Sequence, residues 1–344
     1  MSAVYVGEIA QCIREAYHVS PKNTPMFWGP PGVGKTHGVL EARDLLAKEY
    51  ENFEIAIFIT SQMESIDFSM PTIITTKEGV KSYVKLPISD FILLPNTRKI
   101  IFFDELPNAA PDVQKAAQSI ITDRKIHETK LPDGVMLVAA GNRKEDRAGS
   151  NNLLSAHANR LEHYDVKSDF QDWEKWAMRV GIHHSILSYL KVFPQNLYKF
   201  DVNNPRNPTP RVWEALSNYM YYYEKHQSEF VRRRIASRVG DSIAGEFMAH
   251  LRHFEKFPTK EEIIKDPESA RLPSEGDVQY ALTIAILNWS DKKTASKMIQ
   301  YALRLNKEFQ GTYFTQLKKF KPECAADQPE FTKWAHANLH LIKA

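Results

Sequence analysis

Apolar positions in the first half of the chain switch repeatedly between two rhythms. Residues 5–18 carry Ile9, Ile13 and Ala16 at spacings of four and three, which predicts a helix with one buried face. "PMFWG" (25–29) is a short apolar run, and residues 35–48 return to helical spacing. "FEIAIFIT" (53–60) is almost continuously apolar, which predicts a parallel strand buried on both faces. "KIIFFDE" (99–105), "VMLVAAGN" (135–142) and "HYDV" (163–166) read as three more strands. "PDVQKAAQSIIT" (111–122) is a helix with Pro111 in its first turn and Val113, Ala116, Ala117 and Ile120 on one face. Two stretches break the rhythm. Residues 61–92 mix turn residues with β-like pieces such as "PTIITT" and "KSYVKL", an inserted hairpin-like element, and 125–134, "KIHETKLPDG", predict a small hairpin. Repeated β-α units imply a parallel sheet sandwiched by helices. After residue 168 only helical periodicity remains, in "DWEKWAMRVG", "HSILSYLKVF" and "RVWEALSNYMYYYEKH", with the proline- and asparagine-rich 201–210 as a loop. The expected organisation is an α/β domain over 1–167 and an all-α region over 168–344.

The loop after the first of these strands carries candidate chemistry. Residues 29–36, "GPPGVGKT", match G-x-x-x-x-G-K-[ST] in full. Gly29, Gly32 and Gly34 let the backbone curl so that successive N–H groups face phosphate oxygens, with Pro30, Pro31 and Val33 between them. The helix that follows offers its positive end through Lys35, Thr36 and His37. Lys35 would reach the β- and γ-phosphates, and the Thr36 hydroxyl would bind Mg²⁺. A random chain of this length would contain the match roughly once in a hundred, and this one falls between a predicted strand and a predicted helix, as the mechanism requires.

Two acids end the strand 99–105. Asp104 would hold Mg²⁺, directly or through its water, and Glu105 would polarise an attacking water as general base. Asn142, at the tip of another strand, is placed to orient the same water.

The order of glycine loop, strand-end Asp-Glu, hairpin and strand-end Asn resembles an AAA+ ATPase, a P-loop NTPase with an α-helical lid. The details resemble its MoxR-like branch. "SIDFSMPTI" followed by "VKLPISDF" is similar to the branch's helix-2 insert, "DELPNAAPDVQ" to its second acidic motif and next helix, and "HETKLPDGVMLVAAGN" to the hairpin before the first sensor strand. "PTPRVWEALS" is similar to its second-sensor segment. The likeness covers most of residues 24–225 and continues more loosely through "EFQGTYF" and "FTKWAHAN". It implies Mg-dependent ATP hydrolysis in a ring, usually a hexamer, in which one subunit's arginine enters its neighbour's site. Arg160 matches that arginine and Arg211 the second sensor. Thr209 and Pro210 read as the cap and first position of a helix, which leaves Arg211 in a first turn where the dipole disfavours a cation and a nucleotide phosphate would supply the anion.

The chain also departs from the branch. Pro107 and Asn108 stand where it has Asn-Arg, Asn159, Arg160 and Leu161 where it has Asp-Arg-Phe, and Arg143 follows the sensor asparagine. Arg143 or Arg147 is therefore an alternative to Arg160 for the arginine acting in trans. The resemblance further implies chaperone-like remodelling or activation of a partner protein, often one with a von Willebrand factor A-type domain.

Composition narrows these readings. With 45 basic and 42 acidic residues the formal net charge is +3, so no domain-wide basic field points to nucleic acid. "RRR" (232–234) and "KKFK" (318–321) read as solvated helix faces. A nucleic-acid-stimulated motor is thus the disfavoured alternative, and a nucleotide-gated scaffold with negligible turnover is another. Cys12 and Cys324 share no metal-ligand spacing, and a reducing, cytoplasmic setting is expected. No stretch approaches the ~20 apolar residues that would cross a bilayer, and the N-terminus lacks the basic start and apolar centre of a signal peptide. The tyrosines of 219–226 and Trp173, Trp176 and Trp213 read as helix packing. His183 and His184 are adjacent, so they are not expected to share a helix face as metal ligands, and no metal site beyond nucleotide-bound Mg²⁺ is expected.

Overall fold

The computed structural model describes residues 2–75, 79, 81–87, 94–126, 129–143, 160–201, 203–226, 228–252 and 257–342. The chain divides into two compact units, Met1–Asp169 and Phe170–Ala344.

The first unit is built on six strands: β1 (Ser2–Tyr5), β2 (Pro25–Trp28), β3 (Glu54–Ile59), β6 (Lys99–Asp104), β9 (Val135–Gly141) and β10 (Glu162–Lys167). They lie in the order β1-β10-β2-β9-β6-β3, with every neighbouring pair parallel. Two small antiparallel hairpins stand outside the sheet. One pairs β4 (Ser69–Thr75) with β5 (Lys81–Pro87), within the stretch predicted as an insert, and the other pairs β7 (Lys125–Ile126) with β8 (Thr129–Lys130).

Central strands are apolar on both faces because helices cover both. Ile100 through Phe103 and Val135 through Ala140 have no solvent exposure. Ile101, Phe103, Val135, Leu137 and Ala139 pack with Val113, Ala117 and Ile120 of α3 (Pro111–Asp123). Side chains alternate along a strand, so Ile100 and Phe102 face the other way, toward the side where α2 (Lys35–Leu46) lies on β3, β6 and β9 and α1 (Ile9–Val19) lies on α2. Each such aliphatic or aromatic burial is worth about 1.5–3 kcal/mol.

Two expectations are corrected at the sheet edges. Residues 5–18 do not form one helix. Ser2–Tyr5 is a sixth strand beside β10, a 3₁₀ turn follows at Val6–Glu8, and α1 begins only at Ile9. Four residues are too few for an alternation signal to stand out, and the Glu8 carboxylate closes the turn by accepting a 2.7 Å hydrogen bond from the Tyr5 N–H. β3, for its part, is not buried on both faces. It ends the sheet, and Ile57 and Ile59 are 41% and 42% exposed.

A close approach fixes the end of β9. A Cβ on Gly141 would overlap Cδ and Cγ of Pro107, whose ring sits in the turn after Glu105. Gly141→Ala is therefore expected to destabilise the first unit by about 1–3 kcal/mol and lower its melting temperature by roughly 2–12 °C. An unchanged thermal melt would show that this contact does not hold the turn.

Every regular element described in the second unit is a helix. Trp213 and Tyr189, with no exposure, centre a core that includes Trp173, Ile186, Leu216, Ile235 and Phe247. The Trp213 indole N–H donates to the Asn196 carbonyl at 2.9 Å. A second core gathers Leu282, Ile286, Tyr301, Phe314 and Trp334. The helix Gly276–Trp289 feeds both cores, which accounts for its sequence being apolar nearly all round. Of the tyrosine run, Tyr223 packs on the first core, whereas Tyr222 is 55% exposed.

The reading of "KKFK" as wholly solvated is corrected at Lys321. Its ammonium donates to the carbonyls of Leu287, Asn288 and Ser290 at 2.7–3.0 Å, capping the C-terminal end of Gly276–Trp289 where the dipole favours a cation. Arg232, Arg233 and Arg234 are exposed, as expected of a solvated face.

The reading of His183 and His184 is also corrected. His183 is the N-cap of the helix His184–Val192 rather than a residue within it, so the adjacent rings do not splay apart around a helix. They stack with centroids 4.2 Å apart, and both approach Glu224. Burial pushes the His183 imidazole down to about 3 and that of His184 well below the usual range, so both are neutral. Among the described residues no helix is long and apolar enough to cross a membrane.

Candidate functional site

Strand register assembles the site. Trp28 pairs with Gly141, Phe103 with Ala139 and Ile59 with Asp104, so the C-terminal ends of β2, β9, β6 and β3 finish along one edge. This is the edge at which open parallel sheets bind ligands.

The loop 29–34 leaves β2 at this edge and enters α2. The Gly29 N–H donates to the Gly141 carbonyl at 3.1 Å, tying the start of the loop to the end of β9. Gly32 and Gly34 have φ of 73° and 119°, in the region open to glycine. A Cβ on Gly34 would stand 2.8 Å from the Val6 side chain. Gly34 is also the N-cap of α2, and no side chain caps that end. An uncapped helix N-terminus with its dipole pointing at the loop favours an anion. Gly29 and Val33 are buried, Pro30, Pro31 and Gly32 half-buried, and His37 exposed in the first turn.

Lys35 is 8% exposed, and its ammonium donates to the carbonyls of Gly29 at 2.6 Å and Pro30 at 3.2 Å and to Asn142 Oδ1 at 3.0 Å. These acceptors belong to the loop itself and to the predicted sensor residue, so the cation stands over the cradle. The Thr36 hydroxyl donates to Asp104 Oδ2 at 2.7 Å, while Oδ1 accepts the Glu105 N–H at 2.9 Å. The hydroxyl oxygen and carboxylate that the sequence assigns to one cation are therefore adjacent. Hard oxygen donors of this kind, few in number, suit Mg²⁺ completed by phosphate and water. An anion cradle, a cation over it and an oxygen pair beside it fit a magnesium nucleotide.

Glu105 follows Asp104 in a left-handed conformation, φ 57°, which costs a non-glycine residue of order 1–3 kcal/mol. Its carboxylate accepts a hydrogen bond from the Ser61 hydroxyl. Thr60, fully buried, donates to the Asp104 carbonyl at 2.8 Å. Thr60 and Ser61 were not singled out in the sequence, where 61–92 reads as an insert. The available signal was their position directly past an apolar strand whose end lies in register with the acid pair.

The arginines divide differently. Arg143 forms a 2.6 Å ion pair with Asp165 within its own chain, which commits it locally. Arg147 and Asn159 lie outside the described residues. Arg160 is exposed in the turn entering β10, and among the described residues no hydrogen bond or ion pair joins it to the loop. Arg211 belongs to the second unit, exposed in the first turn of the helix Pro210–Lys225. Thr209 caps that helix by accepting from the Val212 N–H at 3.3 Å, and Pro210 is its first residue.

Comparison with known proteins bears on this geometry. Residues 25–161 match the family described as AAA domain (dynein-related subfamily). No curated protein matches the chain. Among solved structures, a candidate ATPase of Cytophaga hutchinsonii is 16% identical over 90% of this chain and 81% of its own, with a TM-score of 0.35. Caenorhabditis elegans PCH-2 is 12% identical over 71% and 68%, with a TM-score of 0.36. Thermotoga maritima RuvB is 14% identical over 74% and 75%, with a TM-score of 0.39. At these scores the likenesses carry no functional argument, and the assignment rests on the domain match with the motifs inside it. The AAA-domain match at residues 25–161 spans the glycine loop, the acid pair and Asn142, and identifies this part of the chain as an AAA+ ATPase domain.

Proposed function

We propose that the chain hydrolyses Mg·ATP as a MoxR-like AAA+ protein, in a cytoplasmic ring of identical subunits, and uses the cycle to remodel or activate a partner protein. The supporting observation is the convergence of Lys35, Asn142, Thr36, Asp104 and Glu105 at the ends of adjoining parallel strands. In this reading the loop N–H groups and Lys35 bind and orient the phosphates. Thr36 and Asp104 hold Mg²⁺, whose charge balances that of the phosphates when bound. Asn142 orients water and Glu105 takes its proton. Arg160 completes a neighbour's pocket, and Arg211 answers the nucleotide from the helical region. A hexamer and a partner with a von Willebrand factor A-type domain follow from the MoxR-like resemblance.

The reading is tested by measuring mass and specific activity together. Light scattering behind a sizing column is expected to show a closed ring, six chains in size, when Mg·ATP is present, with turnover per chain rising steeply over the concentrations at which the ring forms. Constant turnover per chain in a monomer at every concentration would contradict the ring and the role given to Arg160.

A further inference from the structure

A second cluster of ligand-type side chains lies in the helical unit, where the ATPase chemistry has no use for it. His183 Nε2 stands 2.9 Å from Glu224 Oε1, and His184 Nδ1 stands 3.7 Å from the same oxygen. The three ligand atoms all lie within 4.8 Å of one another. Zinc bonds of about 2.0–2.1 Å in a tetrahedral shell put neighbouring ligand atoms about 3.3 Å apart, and the observed spacings bracket that value. We propose that His183, His184 and Glu224 bind a divalent transition-metal ion, with zinc the best match to two imidazoles and one carboxylate.

The surroundings are those of a built site. His183 and His184 are 2% and 6% exposed. His183 is held by its own N–H, which donates to Ser217 Oγ at 2.8 Å, and by Tyr221, whose ring meets it edge-on at 4.7 Å. His184 lies between Phe257, stacked at 5.8 Å, and Trp289, edge-on at 6.0 Å. Rings fixed this way lose little freedom on ligation. Glu224 arrives from the C-terminal end of another helix, Pro210–Lys225, and its side chain is 31% exposed. The site is therefore walled by aromatics on the histidine side and reached by water on the carboxylate side. Three protein ligands and one open position is the pattern of an accessible zinc site.

Ser185 sets the tautomer of the metal-free state and offers its hydroxyl to the other. Its hydroxyl lies 2.7 Å from His183 Nδ1 and its N–H donates to the same nitrogen at 3.2 Å. Without metal, Nδ1 accepts from Ser185 and the ring proton sits on Nε2, which faces Glu224 Oε1 at 2.9 Å. With metal, the ring proton moves to Nδ1 and is donated to Ser185 Oγ in place of the bond accepted from the Ser185 N–H, leaving the Nε2 lone pair for the ion, an outer-shell bond typical of ligating histidines. The competing account is a metal-free imidazole–carboxylate cluster that only pins the two helices together.

Cobalt(II) separates the two. The full-length chain, stripped with EDTA and free of nucleotide, is titrated with Co²⁺ and followed by visible absorption. One equivalent is expected to give the intense ligand-field bands of a four- or five-coordinate ion. Zn²⁺ is expected to abolish them, and millimolar Mg²⁺ to leave them intact. Glu224→Gln, which keeps shape and hydrogen bonding, and His184→Gln are each expected to weaken Co²⁺ at least tenfold. Lys35→Ala, in the first unit, is expected to leave Co²⁺ binding unchanged. Should either ligand variant misfold, the parent chain alone decides, because zinc is expected to raise its melting temperature. Absent bands, bands unaffected by both ligand variants, or a melt that zinc leaves alone would overturn the proposal in favour of the metal-free cluster.

Discussion

Arg160→Ala is expected to lower ATP turnover by roughly 10³–10⁵-fold while leaving ATP binding and ring assembly in place, the range measured where an arginine supplied to a phosphoryl-transfer site is removed. The expectation has a physical basis in the chain itself. Arg143, one of the two alternatives, is already paired with Asp165, and the other, Arg147, lies outside the described residues. Arg160 is exposed in the turn before β10, and among the described residues nothing joins it to its own loop. In the proposed ring such a cation would act by reaching another subunit's pocket. Mixing gives the decisive readout. Arg160→Ala subunits keep their own base, and Glu105→Gln subunits keep their arginine, so a one-to-one mixture of two inactive variants rebuilds about a quarter of the pockets in a ring of identical interfaces. Activity regained on mixing supports transfer between subunits. Undiminished activity in Arg160→Ala, or no recovery on mixing, assigns the role elsewhere.

Glu105→Gln is expected to lower turnover by roughly 10²–10⁴-fold, the usual contribution of a positioned general base, with Mg·ATP still bound. The substitution leaves backbone and volume unchanged and removes only the ability to take a proton. Its neighbour Asp104 holds Thr36, and the Glu105 N–H is already committed to Asp104, so the cation-side geometry survives. Loss of binding together with turnover would show instead that Glu105 holds the nucleotide or its metal. Turnover equal to wild type would point to the scaffold alternative, in which hydrolysis is incidental.

The site was legible in the sequence wherever one short segment carried the signal. The phosphate loop is contiguous, and β6 and β9 announce themselves by apolar runs ending in Asp104, Glu105 and Asn142. The structure adds what depends on register. Thr60 and Ser61 belong to the acid pair only because β3 lies beside β6, and nothing in "ITSQ" says which strand is its neighbour. The same limit hid the two edges. β1 is four residues long and gains its strand character from β10, over a hundred residues away in sequence, while the apolar run of β3 does not reveal that only one side of it is paired. The His183–His184 pair misleads for a local reason. Helical spacing does not hold across an N-cap, where the first ring lies outside the helix and is free to stack on the second. Lys321, read as a surface charge, was drawn to carbonyls that a distant helix end leaves without intrahelical partners.

In this reading a magnesium triphosphate binds where β2 passes into α2, and calorimetric titration of Mg·ATP into the Glu105→Gln chain is the sharpest check. One ATP per chain is predicted, with affinity lowered about 30-fold or more when Lys35→Ala removes the buried cation over the loop. No heat of binding, or binding that Lys35→Ala leaves unchanged, would contradict it.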